Sequence, residues 1–579
     1  MSRRKSLAYG LLLCVLGLVG CGGATGGSYA PVDIPALKVV PDNALAVVVI
    51  KNLSELDAKS AQIGQALQLP APPMLATAKA MLNIKDGLDE KGTFVMALVP
   101  DEHMPAPMLF VPVTDYEKFV AQLSPEKAGD FTKIQTGPKK SLVAKKGNYA
   151  VITEGSSDDA LKAVIGAKGN ISSELAPASG WIADQDIAAV ATTAGIKMAV
   201  GPARQGLEMV KKSIPKDNPQ AENVMAAFGM YEILLKSCEE DVTQAGIGLK
   251  ADKDSNIHIT SHWGFKTGSS PAKALAGVKA LSQKPLADLP AGPFVIAMTG
   301  VAPENIAQWM SSMIKFNPQL SGLSDEQRRK METTMNDFMK GMESMSWVLG
   351  VPGANDGLFR NSVATMRVEN SAKFMETMAA KMQDMKQVYQ AAKIPGADSY
   401  AVKAIDIGGA KAVEFTMDLT ASLPPSADEN AKRVIEAMTG PGGKMTVTYV
   451  AADDKTILAT YTGGDEAKKQ IAAYKTRSGS LASDAQTAKT LALLPHGAQW
   501  VGVWDVPGTL TLVKQVMGKV APDGPAGMIP TLPAMPPLGF AATASAQGVD
   551  TDLVLPVDTL KSVSKAAMAL KGPGPQDRP

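Results

Sequence analysis

Apolar residues fall into two rhythms along this 579-residue chain. Short unbroken or alternating runs read as strands, and apolar residues three or four apart read as helices. The run Leu45–Ile50 follows the turn Val40-Pro41-Asp42-Asn43-Ala44 and leads toward a helix, for which Ser54 is the expected cap. The layout recurs at Leu289-Pro290-Ala291-Gly292-Pro293 before FVIAM, and at Leu494-Pro495-His496-Gly497-Ala498 before QWVGVW. A second element, a strand entering a helix, appears at Leu109–Tyr116 and Leu553–Leu560, with Thr114 or Asp558 placed to cap it. Further copies are SWVLGV with SVATMRV, and AGIGLKA with NIHITSHWGF. The first long unit continues with DFTKIQT, SLVAKK, NYAVITE and a helix from Ser157; the second with SYAVKAI, AKAVEFTMDL, KMTVTYVA, TILATYT and a helix from Asp465. Similar linkers, SSELAPAS at 172–179 and SGSLASDA at 478–485, follow each. The order long, short, long, short reads as a duplication of half the chain. The expected fold is therefore α+β, with two duplicated lobes of antiparallel sheets and helices on one face. Lobe one covers 36–284 (units 36–170 and 181–283) and lobe two 285–570 (units 285–476 and 490–570). Residues 571–579 read as a disordered tail, and the Pro-rich 521–538 as a loop.

The start of the chain breaks both rhythms. Arg3, Arg4 and Lys5 precede an apolar stretch from Leu7 to Val19, the charged and apolar regions of a secretory signal, too short to span a bilayer stably. It ends Leu18-Val19-Gly20-Cys21, which resembles the lipobox of bacterial lipoproteins. That resemblance implies cleavage after residue 20, a diacylglycerol on the Cys21 sulfur and an acylated amino group, which together hold a bilayer durably. Gly22, rather than the aspartate that retains many lipoproteins on the inner membrane, then favours the outer membrane. Residues 21–35, Gly-rich and then Pro-containing, read as a flexible tether. The body resembles internally duplicated, uncharacterised secreted proteins and lipoproteins of Gram-negative-type bacteria, on its Pro-turn-strand starts and Ser-Leu-Ala linkers. No activity comes with that resemblance.

Composition narrows the function. Loss of the signal takes the net charge from +1 to −2, and no long basic run remains, so nucleic acid is not an expected partner. Of three cysteines, Cys14 leaves with the signal and Cys21 is lipidated, so Cys238 has no disulfide partner.

Each candidate for chemistry has a plainer reading. Met331, Met335, Phe338, Met339, Met342 and Met345 follow helical spacing in a segment whose Ser324 and Gln327 form a capping-box pattern, and Met375, Met378, Met382 and Met385 do so in the next. Thioethers suit cuprous copper, but no histidine or cysteine joins the stripes, and adaptable core filling is the expectation. Among His103, His258, His262 and His496, only His258 and His262 share a face, with Thr260, of the alternating NIHITSHWGF. Four residues of strand span about 13 Å, too far for one shared metal, so a polar solvent face is expected. Ser270 and Lys273 have a Ser-x-x-Lys spacing beside Lys266-Thr267-Gly268, but in the reverse order to penicillin-binding enzymes. Cys238, beside Glu239, Glu240 and Asp241, is not set up as a nucleophile, since carboxylates raise a thiol pKa. Trp500 and Trp504 flank Gly502 on one strand face; they are the candidate ligand surface, but with no clustered polar partners the expectation is packing beneath a helix.

No acid, base, nucleophile or metal set converges, so no catalytic, metal or cofactor residue is assigned. The expectation is a lipid-anchored envelope protein that binds or scaffolds a protein or polymer partner without catalysis. The alternatives are a carrier of an apolar ligand between the sheet and the Met-lined helices, and a hydrolase without a recognisable motif.

Overall fold

The computed structural model describes residues 29–69, 73–102, 104–136, 139–154, 158–214, 221–302, 323–353, 356–391, 396–423, 429–520, 527 and 529–571. The signal, Cys21, His103, Ser157 and the tail after residue 571 lie outside them, as does most of the Pro-rich stretch before Thr531. The fold is α+β with antiparallel sheets. The chain divides into two compact units. Unit 1 takes the chain up to Ser213, Tyr231–Ala272 and Ala544–Val557; unit 2 takes 214–230, Lys273–Thr543 and Asp558 onward. The last strand, placed by sequence in the second lobe, belongs to unit 1.

Unit 1 contains β1 (Ala46–Ile50), β2 (Phe94–Val99), β3 (Ala106–Pro112), β4 (Glu126–Ala128), β5 (Phe131–Thr136), β6 (Lys139–Lys146), β7 (Tyr149–Glu154), β8 (Ile187–Thr192), β9 (Val242–Ala251) and β10 (Ile257–Phe265). Unit 2 contains β11 (Phe294–Val301), β12 (Met342–Gly350), β13 (Val363–Val368), β14 (Ala401–Ile407), β15 (Ala410–Asp418), β16 (Lys444–Ala451), β17 (Thr456–Thr460), β18 (Trp500–Trp504) and β19 (Leu538–Ser545) up to Thr543. The remaining strand, β20 (Gly548–Leu555), is part of unit 1.

Pairing runs β4–β5–β6–β7–β3–β2–β1–β8–β9–β10–β20 in unit 1. It runs β14–β15–β16–β17–β13–β12–β11–β18–β19 in unit 2. Each unit 2 strand holds the place of the strand ten earlier. The two linkers dock alike: Ile171 N–H donates to the Val40 carbonyl, and Leu481 N–H to the Leu289 carbonyl. Gly195, opening the helix Thr193–Ser213, and Gly508, in the helix Val506–Val520, also match. A Cβ on either would lie 1.9 Å from a carbonyl oxygen, of Leu45 or Phe294, so only glycine permits the approach.

Apolar packing covers both faces of the unit 1 sheet rather than one. Val47, Val49, Val95 and Phe110 join Leu161 and Trp181 on one side. Their strand neighbours Ala46, Ala191 and Ala245 join Ile196, Val200 and Cys238 on the other. Alternation sends successive side chains to opposite faces, so a strand apolar at every position needs cover on both.

Three local expectations change. Asn52, not Ser54, caps the helix Leu53–Leu67, its side chain accepting from Glu55 N–H. Asp115, not Thr114, caps Tyr116–Ala121. The Ser324–Gln327 capping box is present, but its helix ends at Met339, so Met342 and Met345 stand on β12. The tether is also shorter than expected: Val32 N–H donates to Ser179 Oγ, and Ala36 and Leu37 are buried in a turn of 3-10 helix.

Candidate binding face and buried polar layer

Among the described residues, one face of the unit 2 sheet, beside the helix Val506–Val520, carries partly exposed apolar side chains. On β11 the open positions are Ile296 and Met298, on β12 Met345, and on β18 Trp504, whose exposures of 36%, 39%, 47% and 48% are high for such side chains. Register joins them: Ile296 pairs with Trp504, Met298 with Gly502 and Trp347, and Gly300 with Trp500 and Met345. Leu538 and Phe540 of β19, opposite Trp504 and Gly502, extend the face by one strand. Trp500, Trp347, Leu349, Leu538 and Phe540 are half-buried. Trp500 lies over Gly300, where a Cβ would be 2.1 Å from its ring. Trp504 Nε1 donates to Thr509 Oγ1 at 2.7 Å, which fixes the indole while leaving its ring accessible.

On the other side of β12 the same face goes under cover. Met366, opposite Met345, packs with Met375 and Met378 of the helix Ser371–Ala391. Met331 is buried with Val388 in a neighbouring cluster. These methionines fill core, as their spacing predicts. Trp500 and Trp504 share a face as expected; Trp500 is half-buried and Trp504 is 48% exposed.

Unit 1 carries a buried polar layer that sequence analysis placed in solvent. His258, Thr260 and His262 share a face of β10, and that face is the buried one: their exposures are 6%, 4% and 7%. Trp181 and Gln185 lie over that face, and β20, paired with β10, places Asp550 opposite His262 and Asp552 opposite Thr260. His262 Nδ1 lies 2.6 Å from Asp550, and His258 Nδ1 lies 3.0 Å from both oxygens of Asp552. A carboxylate only accepts, so each Nδ1 carries the proton. Thr260 donates to Gln185, and Trp181 stacks on His262 at 5.6 Å. The layer's threonine, Thr260, is turned to Gln185 rather than to a histidine, and Ser261 points to the opposite face, bonded to Thr551. The layer can lock β20 onto unit 1, and it is not arranged for acyl transfer.

Tyr29 borders this layer. Burial first, then the carboxylates of Asp184, Asp550 and Asp552, push its phenol far above the ordinary value.

Lys266, Thr267, Gly268 and Ser269 meet Lys197, Glu239, Glu240 and Asp241 around an open cleft of 680 Å³. Its charges are mixed and partly paired within the fold. Cys238 is buried and free, and burial ahead of Asp241 raises its thiol pKa. His496 is exposed in the turn before β18. Among the described residues, no three His, Cys, Asp or Glu side chains are grouped to hold a metal ion, and no helix is long and apolar enough to cross a membrane. No protein-family profile, characterised protein sequence or solved structure matches this chain.

Proposed function

We propose that this chain is an envelope lipoprotein, anchored through acylated Cys21 and sorted to the outer membrane. It acts as a non-catalytic binding protein whose unit 2 sheet face takes an apolar chain such as a fatty acyl group. The observation that supports the reading is the contiguous face of Ile296, Met298, Met345, Trp347, Trp500 and Trp504. An uncovered patch of this kind on a soluble body marks a ligand or partner site. The indoles offer rigid walls, and the thioethers adapt to an occupant without fixed shape. The alternative is a protein partner seated on the same face.

The test is native mass spectrometry of the mature chain with Cys21→Ser, followed by titration with a fluorescent long-chain fatty acid. A mass excess lost on denaturation, and a Trp504→Ala variant that binds the probe about tenfold more weakly, support the carrier reading. A bare mass with no probe binding sinks it and favours the protein partner.

A further inference from the structure

We infer that the helical hairpin Leu53–Leu67 and Met74–Met81 is a second membrane contact, docking on the bilayer that holds Cys21. The inference rests on the lipoprotein reading for the location of Cys21, and on independent observations for the hairpin. The helix Met74–Met81 buries none of its residues. Met81 is 81% exposed, Met74 53% and Leu69, just past the first helix, 45%. Three large apolar side chains on one surface hairpin are costly in water and are the kind of group an interfacial helix buries in a bilayer.

The occupant follows from the length of the leash. Seven residues, and so eight Cα–Cα steps, lie between Cys21 and Tyr29, the first described residue. A chain of that length spans at most about 28 Å in any conformation. Tyr29 borders Asp184, and two residues on, Asp186 accepts from Lys59 of the first hairpin helix at 2.7 Å. Asp57 on the same helix accepts from Leu75 N–H, and Gln62 donates to the Lys253 carbonyl. The stretch Asp184–Asp186 therefore borders both the tether exit and the hairpin. With acyl chains in the bilayer at Cys21, the leash keeps Tyr29, and with it the Asp184–Asp186 border of the hairpin, close to the headgroups. The partner is a lipid surface.

Flotation with phosphatidylethanolamine–phosphatidylglycerol vesicles tests this, using the mature chain with Cys21→Ser so that no acyl chain contributes. The unlipidated chain is expected to float with vesicles, and Met81→Gln to weaken partitioning about tenfold. The triple variant Leu69→Gln/Met74→Gln/Met81→Gln is expected to remain in the soluble fraction while keeping its circular dichroism. Flotation unchanged in the triple variant, or no flotation of the parent, overturns the docking surface. Lipidation of Cys21 is followed separately by incorporation of labelled palmitate in cells, so its failure is distinguishable. Met568→Gln, at an exposed apolar position outside the hairpin, is expected to leave flotation unchanged; loss of flotation there would place the membrane contact elsewhere and overturn the inference.

Discussion

Asp550 and His262 offer the sharpest test of how unit 1 holds its last strand. Their side chains are 8% and 9% exposed and lie 2.6 Å apart on directly paired positions of β20 and β10. Removing one partner from such a pair leaves a buried polar group unsatisfied, which costs about 3–5 kcal/mol. Removing both in favour of apolar groups of similar volume is close to neutral, because the desolvation penalty disappears with the charges. Asp550→Leu is therefore expected to destabilise unit 1 by about 3–5 kcal/mol, and His262→Leu to destabilise it by less, since Asp550 keeps other interactions. The double variant should return to within about 1 kcal/mol of the parent, a coupling energy that additive sites do not show. Hydrogen exchange at the amides of β10 and β20 reads the local opening free energy directly. Single variants each costing below about 1 kcal/mol, or a double variant equal to the sum of the singles, would refute the reasoning.

Other expectations follow from particular contacts. Gly195→Ala and Gly508→Ala should each destabilise by about 1–3 kcal/mol in urea unfolding, since the new Cβ meets a backbone carbonyl rather than a yielding side chain. Equal tolerance of alanine at both sites would contradict the shared geometry. Burial raises the Asp505 carboxyl pKa, with Gly508 N–H only partly offsetting it, so the folded state favours the protonated form. Its contribution is unfavourable at neutral pH and is relieved as pH falls through the raised folded value toward the ordinary carboxylate range. Asp505→Asn, which keeps an acceptor for Gly508, should stabilise at pH 7, with the difference vanishing in acid; equal effects at both pH values would count against it. Cys238 should react with iodoacetamide at least about a hundredfold more slowly in the native chain than in urea, as expected for a buried thiol of raised pKa. Comparable rates would place the thiol in solvent.

Strand positions were legible because each apolar run carried its own period, and the pairing order repeats as the long and short units suggested. What escaped detection was compositionally quiet. β8 reads Ile-Ala-Ala-Val-Ala-Thr, and the helix Thr193–Ser213 carries Pro202 inside it, so neither stood out against the surrounding alanines. The buried layer escaped for a different reason. Alternation in β10 correctly grouped His258, Thr260 and His262, but alternation does not say which face is covered. That depends on Trp181 and Gln185 lying over it, and its polar partners, Asp550 and Asp552, come nearly 300 residues later in sequence. A pattern of Asp-x-Asp on one strand and His-x-x-x-His on another was the available signal, visible only once the two strands were paired.

Comparison of equivalent positions gives the open face its meaning. Thr192 N–H donates to the Leu45 carbonyl, and Asp505 N–H to that of Val295, so the pair Ala46–Ala191 corresponds to Ile296–Trp504. In unit 1 the small side chains at this pair let Ile196, Val200 and Cys238 settle onto the sheet and close it. In unit 2 the pair is large, and among the described residues it stays partly exposed, with Met298 and Met345 beside it. Exposed apolar area forfeits about 25 cal/mol per Å² of available burial. These side chains therefore favour cover from outside the described residues, which is the reasoning that ties Trp504 to the proposed acyl-binding role.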